Sequence, residues 1–295
     1  MQLSLLKALA TLAIGIALTG LSGCTNTHTN ANTNTSADTQ THSELKIAGD
    51  ASTYPAMKIL ADAYSAKVKN TTLTFLPPNQ SEAAIAGVKD GLLEIATISK
   101  QLKPESDDGT LEYRQAAKDA LLVATHPSVK EVTNLTTQNL KAIYSGAIKN
   151  WKDLGGPDAK IVLLDRPEDE SAKLLLRKHY LGKKLKNSPQ TIIMRHEGDL
   201  VAALQNTPYS IGAFSLANAI SNKLPVNHLS LNGIEPTPEN VRSGKYQMVR
   251  TNGIVSKKNA TKATQGFIDF TLSAEAGEVM SKSGFVQATQ TMVKQ

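Results

Sequence analysis

Short apolar segments alternate with amphipathic ones along most of the chain, and this alternation most constrains its fold. Residues 45–48 predict a strand, residues 56–68 carry apolar side chains at helical spacing, and residues 71–76 alternate like a second strand. A helix is predicted from Ser81, and a third strand at 93–98. Such an order predicts an α/β sheet with helices on both faces.

The same alternation continues through the rest of the chain. Further strands are predicted at 120–125, 161–164 and 248–255, a tight buried segment at 210–214, and further helices after 136, at 171–180, 201–204 and 264–272. Thr136 is expected to cap the helix that follows it. The body holds about 250 residues, enough for one large domain or two smaller lobes.

The first residues predict an export signal. Lys7 precedes an uncharged run at 8–21, and small residues lead to Cys24, the single cysteine of the chain. The ending 21–24 (Leu-Ser-Gly-Cys) resembles the lipobox of bacterial lipoproteins, which implies cleavage before Cys24 and a lipid anchor on it. The alternatives are an uncleaved anchor and an ordinary signal peptide.

A polar segment separates the signal from the body. Residues 25–43 are nearly all Thr, Asn, Ser, Ala, Gln and His, without apolar periodicity, so they cannot bury a core. The expected organisation is therefore a signal peptide at 1–23, a disordered linker at 24–43 and a folded body at 44–295. The two linker histidines are expected to be solvated, and no metal site is predicted there.

The charge balance favours a small anion as ligand. Lys and Arg number 32 against 26 Asp and Glu, a net charge of +6. Basic proteins can bind nucleic acid. Here the charges are mixed along the chain, only 4% of residues are aromatic, and an exported protein is expected. Nucleic acid is therefore not an expected partner.

Three turns after predicted strands carry hydroxyl groups. They contain Ser52 with Thr53, Ser81, and Ser99. In α/β sheets, ligands lie at the carboxyl ends of strands, and helix N-termini favour anions. A serine at one helix start is more often a plain N-cap than a ligand. Three such turns in successive units, without a competing catalytic motif, favour a binding cleft.

Four stretches resemble a known family. Residues 135–156 match its signature almost position by position, and 91–100, 209–212 and 267–277 also fit. The chain resembles the phosphate-binding proteins that deliver ligand to ABC importers, a branch of the two-lobed periplasmic binding proteins, over nearly all of the body.

This resemblance implies a type II α/β fold, in which each lobe is a mixed sheet flanked by helices and the ligand cleft lies between the lobes. One lobe would comprise about 44–122 and 250–295, and the other about 123–249. The implied ligand-binding residues are Ala51, Ser52, Thr53, Ser81, Ser99, Lys100, Arg166, Glu170 and Ser171. The Arg166 guanidinium would pair with an oxyanion through two parallel hydrogen bonds.

The loop after Arg166 departs from the family. The family reads Ser-Gly-Thr where this chain reads Glu170, Ser171 and Ala172, and Asp169 precedes them. Carboxylates repel an anion unless Lys100 and Arg166 offset them or the ligand donates a proton to one of them. The alternative is that Asp169 and Glu170 only cap the helix that starts at Ser171.

The leading hypothesis is a monomeric solute-binding lipoprotein that delivers phosphate or a related oxyanion to an ABC importer permease. The alternative is a sensing or accessory lipoprotein with the same fold and a non-phosphate ligand. An exported hydrolase is a third class, but the sequence lacks His-Glu-x-x-His, Gly-x-Ser-x-Gly and phosphate-loop motifs. No cofactor, metal or catalytic residue is predicted.

Overall fold

The structure is a computed structural model and describes residues 42–288. The predicted signal peptide, Cys24 and nearly all of the predicted linker lie outside the described residues. Within residues 42–288, no helix is both long and apolar enough to cross a bilayer.

Strands and helices alternate as the sequence predicts. The strands are β1 (Ser43–Gly49), β2 (Thr71–Phe75), β3 (Ile95–Ile98), β4 (Leu111–Thr125), β5 (Asn134–Leu135), β6 (Val162–Asp165), β7 (Ile192–Ile193), β8 (Ser210–Ser215), β9 (Asn227–Leu231), β10 (Val249–Lys257) and β11 (Val286–Gln287). The helices are α1 (Tyr54–Lys67), α2 (Ser81–Lys89), α3 (Thr137–Ser145), α4 (Ser171–Leu176), α5 (Glu197–Asn206), α6 (Leu216–Ser221), α7 (Pro238–Arg242), α8 (Lys262–Thr271) and α9 (Ala274–Lys282). A π-helical turn, Arg177–Leu181, continues α4.

The strands pair in the order β2-β1-β3-β10-β4-β8-β6-β7. Parallel pairs join β2, β1 and β3 on one side, and β8, β6 and β7 on the other. Between them, β10 is antiparallel to both β3 and β4. We call β2, β1, β3 and β10 the first half-sheet, and β8, β6 and β7 the second half-sheet.

The long strand β4 connects the two half-sheets. Its residues 111–120 pair with β10, whereas residues 121–125 pair with β8. The chain therefore passes from the first half-sheet to the second along β4 and returns along β10. Residues 120 and 121, where β4 changes its partner from β10 to β8, lie between the two half-sheets, whereas β10 pairs with β4 along its whole length.

The first half-sheet is covered on both faces. Ile47 packs into a cluster with Met57 of α1 and Phe267 of α8, whereas the adjacent Ala48 packs with Ile85 of α2. Successive side chains of a strand point to opposite faces, so these are two separate cores on either side of one sheet. This arrangement agrees with the predicted helices on both faces.

The second half-sheet has one large core. Its centre includes Tyr144, Trp151 and Phe214, each at most 1% exposed. The Trp151 indole N–H donates to the Tyr209 carbonyl at 2.9 Å, so its polar edge is satisfied within the core. Thr136 caps α3 as predicted, and its side chain accepts a hydrogen bond from the N–H of Asn139.

Some elements extend beyond the predicted bounds. β4 begins at Leu111 rather than at 120, because residues 111–120 include four charged side chains and so form no apolar run, yet they pair with β10. β1 begins at Ser43, one residue before the predicted start of the body. A further helix, α9, follows the predicted helix 264–272.

Candidate functional site

The loop after β1 is set by close packing against β3. Gly49 and Thr97 are partners in this parallel pair. A side chain on Gly49 would place its Cβ 1.9 Å from the Thr97 carbonyl oxygen, so only glycine fits there. The N–H of the next residue, Asp50, donates to that same carbonyl at 2.9 Å. Asp50 is thereby fixed at the carboxyl ends of two adjacent strands.

The Asp50 carboxylate accepts hydrogen bonds from two of the serines predicted to bind an anion. Ser81 Oγ lies 2.9 and 2.8 Å from its two oxygens. The backbone N–H and the hydroxyl of Ser99 each donate to Oδ2 at 2.7 Å. Three donors from two loops therefore converge on one carboxylate, and such donors also bind oxyanions. Neither serine is a plain N-cap, since Gln80 precedes α2 as its cap and Ser99 enters a loop.

The other predicted residues of this half lie around Asp50 with different exposures. Ala51 is exposed, Ser52 is half-buried, and Thr53 is fully buried. The Thr53 hydroxyl lies 2.7 Å from both the Asp50 carbonyl and Thr97 Oγ1. It therefore holds the loop from inside, and the structure does not direct it towards solvent.

Lys100 pairs with a carboxylate of α2. Its ammonium lies 2.9 Å from Glu82 Oε1, and both side chains are largely exposed. The hydrogen bond from Lys100 holds the pKa of Glu82 below its ordinary value. We call Asp50, Ser81, Glu82, Ser99 and Lys100 the first cluster.

Arg166 lies at the corresponding edge of the second half-sheet. It follows β6, and its guanidinium donates through Nη1 to the carbonyl of Met194, which follows the adjacent parallel strand β7. Its Nη2 lies 3.1 Å from Glu170 Oε2. The side chain is only 8% exposed. A nearly buried guanidinium thus stands at the carboxyl ends of two strands, paired with one carboxylate.

Glu170 lies at the start of α4, as the alternative interpretation expected, but it also has a partner outside the helix. It occupies the N-cap position, but its side chain makes no capping hydrogen bond and instead faces Arg166. Glu170 therefore supplies Arg166 with an anionic partner from the chain itself.

A buried ion pair supports Arg166 from below. Asp165 and Lys173 are in hydrogen-bonding contact and are at most 2% exposed. Asp165 also accepts from the Arg166 N–H at 2.9 Å and from the Asn187 amide at 2.9 Å. The Lys173 ammonium lies 4.7 Å from the centre of the Tyr144 ring. We call Asp165, Arg166, Glu170, Lys173 and Asn187 the second cluster.

Arg250 of β10 lies between the two clusters, and its sequence pattern did not single it out. Its Nε and Nη2 donate to Asp119 Oδ2 at 2.9 and 2.7 Å. Its Nη1 lies 3.3 Å from Ser171 Oγ and 3.7 Å from Glu197 Oε2. Burial raises the pKa of Asp119. For Arg250, burial acts to lower the pKa, but the neighbouring carboxylates of Asp119 and Glu197 outweigh burial, so the pKa of Arg250 is raised. We call Arg250, Asp119, Ser171 and Glu197 the Arg250 network.

The sequence carried a signal for Asp50 but none for Arg250. Asp50 lies two residues after the predicted strand 45–48 and next to the predicted ligand residues 51–53, but the sequence pattern there predicts hydrogen-bond donors and not a carboxylate. The Arg250–Asp119 pair joins positions 131 residues apart, which local periodicity cannot reveal.

Other parts of the described chain offer less polar chemistry. A cavity of about 280 Å³ is lined by residues including Val129, Asn227 and His228, away from both clusters. Across residues 42–288, no group of three His, Cys, Asp or Glu side chains is placed to hold a metal ion. The convergent donors of the two clusters therefore form the candidate site.

Comparisons with known proteins identify the family of this chain. Residues 32–275 match the PBP superfamily domain. The phosphate-binding protein PstS of Borreliella burgdorferi is 30% identical over 250 residues, covering 82% of this chain and 89% of that protein.

Solved structures give the same result. A phosphate ABC transporter substrate-binding protein with bound phosphate from Clostridium perfringens superposes with a TM-score of 0.69 at 28% identity, covering 83% of this chain and all of that one. An ABC-type phosphate transport receptor from Vibrio cholerae gives 0.64 at 25% identity, with coverage of 83% and 100%. These matches confirm the type II periplasmic-binding-protein fold. The chain therefore belongs to the PBP superfamily, in the family of phosphate ABC transporter substrate-binding proteins, which are extracytoplasmic solute-binding proteins and not enzymes.

Proposed function

We propose that this chain binds phosphate or a related oxyanion between two lobes and delivers it to the permease of an ABC importer. The convergence of Ser81 and Ser99 donors within 2.9 Å of one carboxylate carries the proposal, because the same donors can bind an oxyanion. Arg166 supplies a cation at the edge of the opposite half-sheet. The lobes would comprise about 44–122 with 250–295, and about 123–249, joined by the passages of β4 and β10.

The carboxylates of the site restrict the form of the ligand. Asp50 and Glu170 contact the very groups that would bind the anion. Two like charges 4 Å apart repel by about 4 kcal/mol at an effective dielectric of 20. We therefore expect a ligand that still carries a proton, such as monohydrogen phosphate, because it can donate to one of these carboxylates. A fully deprotonated dianion such as sulfate should bind more weakly.

Isothermal titration calorimetry of the full chain in detergent tests this proposal. Phosphate should bind at one site per chain, arsenate should compete with it, and sulfate should bind more weakly. If millimolar phosphate gave no heat and no thermal shift, phosphate would be refuted as the ligand. Tight binding of molybdate alone would assign the site to that anion. Phosphate binding without any effect on phosphate uptake in cells would favour the sensing role.

We also propose that a lipid on Cys24 and a loose tether at 24–43 hold the body near the membrane. Tethering raises the local concentration of the binder at its permease without any added contact. Cells grown with labelled palmitate should label the wild-type chain and not Cys24→Ser. Equal labelling of both chains would contradict the anchor at Cys24.

A further inference from the structure

We propose that Arg250 is a ligand-contacting residue, whose Nη1 binds the oxyanion between the first and second clusters. This inference rests on the proposed function, since it adds a second guanidinium to the oxyanion site. Asp119 fixes the Arg250 side chain, the Arg250 Nη1 lies 3.3 Å from Ser171 Oγ, and the buried Asn252 lies two residues further along β10.

The Arg250 guanidinium is fixed by Asp119 through the two nitrogens other than Nη1. Its Nε and Nη2 both donate to Asp119 Oδ2, and Asp119 Oδ1 in turn accepts from the Ser215 hydroxyl at 2.9 Å. Arg250 is 7% exposed, and Asp119 and Ser215 are likewise buried. A planar guanidinium fixed at two of its nitrogens directs the third along one line. The rotamer entropy of the side chain is therefore lost on folding and not on ligand binding.

The Nη1 group makes only weak contacts. The Ser171 hydroxyl lies at 3.3 Å, near the upper limit of a hydrogen bond, and the Glu197 carboxylate at 3.7 Å lies beyond it. A charged donor with such partners gains more from a phosphoryl oxygen at a shorter distance. Ser171 follows Glu170, the partner of Arg166, so Nη1 points at the segment that also faces the first guanidinium.

The strand β10 also reaches the first cluster. Thr251, the residue after Arg250, lies with its hydroxyl 3.5 Å from the Ser99 carbonyl oxygen. The strand β10 therefore contacts Ser99 through Thr251 and Ser171 through Arg250, on side chains that leave opposite faces of the strand.

An unpartnered amide lies on the same face of β10. Asn252 is fully buried, and neither its Oδ1 nor its Nδ2 has a hydrogen-bond partner among the described residues. Residues two apart on a strand share a face, so Asn252 points to the same side as Arg250. Buried amides are almost always satisfied, so this pair of free atoms indicates a polar occupant beside Arg250. An oxyanion or the water that it holds fits that requirement.

Calorimetry with inorganic phosphate on the full chain tests the inference. Arg250→Lys keeps a cation beside Asp119 but loses the fixed Nη1, so we expect phosphate to bind at least tenfold more weakly with unchanged stoichiometry. The matched control is Arg242→Lys, an exposed arginine of α7, which should bind like wild type. Asn252→Leu gives a second variant of similar volume, in which we expect weaker binding without loss of thermal stability.

The outcomes separate a contact from a structural role. A Kd within twofold of wild type for Arg250→Lys would overturn the inference, whatever the result for Asn252→Leu. A lower stoichiometry with unchanged Kd in Arg250→Lys would also overturn it, because misfolding removes sites without weakening those that remain. Wild-type protein that gives no heat with phosphate would instead refute the proposed function, and the inference with it.

Discussion

The two clusters hold charge in opposite ways. In the first cluster, neutral hydroxyl and N–H groups surround one half-buried carboxylate, Asp50, and the cation Lys100 pairs with Glu82 in solvent. In the second cluster, the cations Arg166 and Lys173 are buried, and each has a carboxylate partner. Hydroxyl groups can turn from Asp50 to a ligand without leaving a bare cation. The buried cations cannot leave their partners at so low a cost.

Because of this difference, we expect the two clusters to have different roles in the proposed site. The first cluster can exchange hydrogen bonds with a ligand, and its own carboxylate controls which anions are accepted. The second cluster supplies positive charge on a rigid base, because Asp165 ties the backbone of Arg166 to Lys173. Substitutions in the second cluster should therefore affect stability or overall affinity, and those in the first cluster should affect selectivity.

The largest effect is expected at Lys173. Lys173→Met leaves Asp165 as a buried carboxylate without its cation, so we expect the free energy of unfolding to fall by about 3–5 kcal/mol. Lys100→Met removes the exposed cation of the first cluster and should cost under about 1 kcal/mol. Urea denaturation of both variants measures the difference. Equal losses would show that the two clusters do not differ in this way.

The sequence predicted the architecture better than the site because the two rest on different interactions. The stretch 135–156, which carries the family signature most fully, places Leu140, Tyr144 and Trp151 in the core of the second half-sheet. These residues specify packing, and packing follows from periodicity and volume. They carry no information about the ligand, so a strong family signature is compatible with an altered loop at Glu170.

Arg166 should show the largest effect on affinity. Arg166→Ala removes the charged hydrogen-bonding partner of the anion, and we expect phosphate binding to weaken by at least about 2 kcal/mol, or roughly 30-fold. Arg195→Ala, an exposed arginine just after Met194, is the matched control and should bind like wild type. Titration calorimetry compares the two. An unchanged affinity in Arg166→Ala would place the anion away from the second cluster.

Asp50 shows why the first cluster could be predicted only in part. The donors Ser81 and Ser99 follow from the rule that ligands lie at the carboxyl ends of strands. Their convergence on Asp50 depends on the pairing of Gly49 with Thr97, which brings together loops 49 residues apart. The burial of the Thr53 hydroxyl follows from the same pairing. Sequence pattern finds the residues at strand ends, but tertiary pairing decides which of their groups face one another.

Asp50→Asn should change selectivity more than overall affinity. The amide retains an acceptor for the Ser81 hydroxyl but carries no negative charge, so sulfate should bind about tenfold more tightly, or about 1.4 kcal/mol. Phosphate should change less, because it also loses an acceptor for its proton. Asp62→Asn, an exposed aspartate of α1, is the control. A ratio of phosphate to sulfate affinities that matches wild type would exclude Asp50 from the selectivity of the site.

The smallest effect is expected at Glu168, an exposed carboxylate beside the second cluster, 3.7 Å from the Lys173 ammonium. Glu168 is 60% exposed, and hydrogen bonds from Arg177 at 2.7 and 2.9 Å hold its pKa below its ordinary value. A lowered carboxyl pKa contributes stability above the unfolded pKa of about 4.3, and this stability is lost as the pH falls through the folded value. Glu168→Gln should therefore be less stable than wild type by under about 1 kcal/mol near pH 7.

That difference should shrink as the carboxyl is protonated. Thermal unfolding of wild type and Glu168→Gln near neutral pH and at about pH 3 should give melting temperatures that converge in acid. Glu278→Gln, an exposed glutamate of α9, should show no such convergence. If the difference in melting temperature between wild type and Glu168→Gln stayed constant with pH, the ion pair with Arg177 would contribute nothing to stability. Convergence would show that the exposed pair of Glu168 and Arg177 contributes a small stability that depends on the charge of the carboxylate, in contrast to the large loss expected for the buried pair of Asp165 and Lys173.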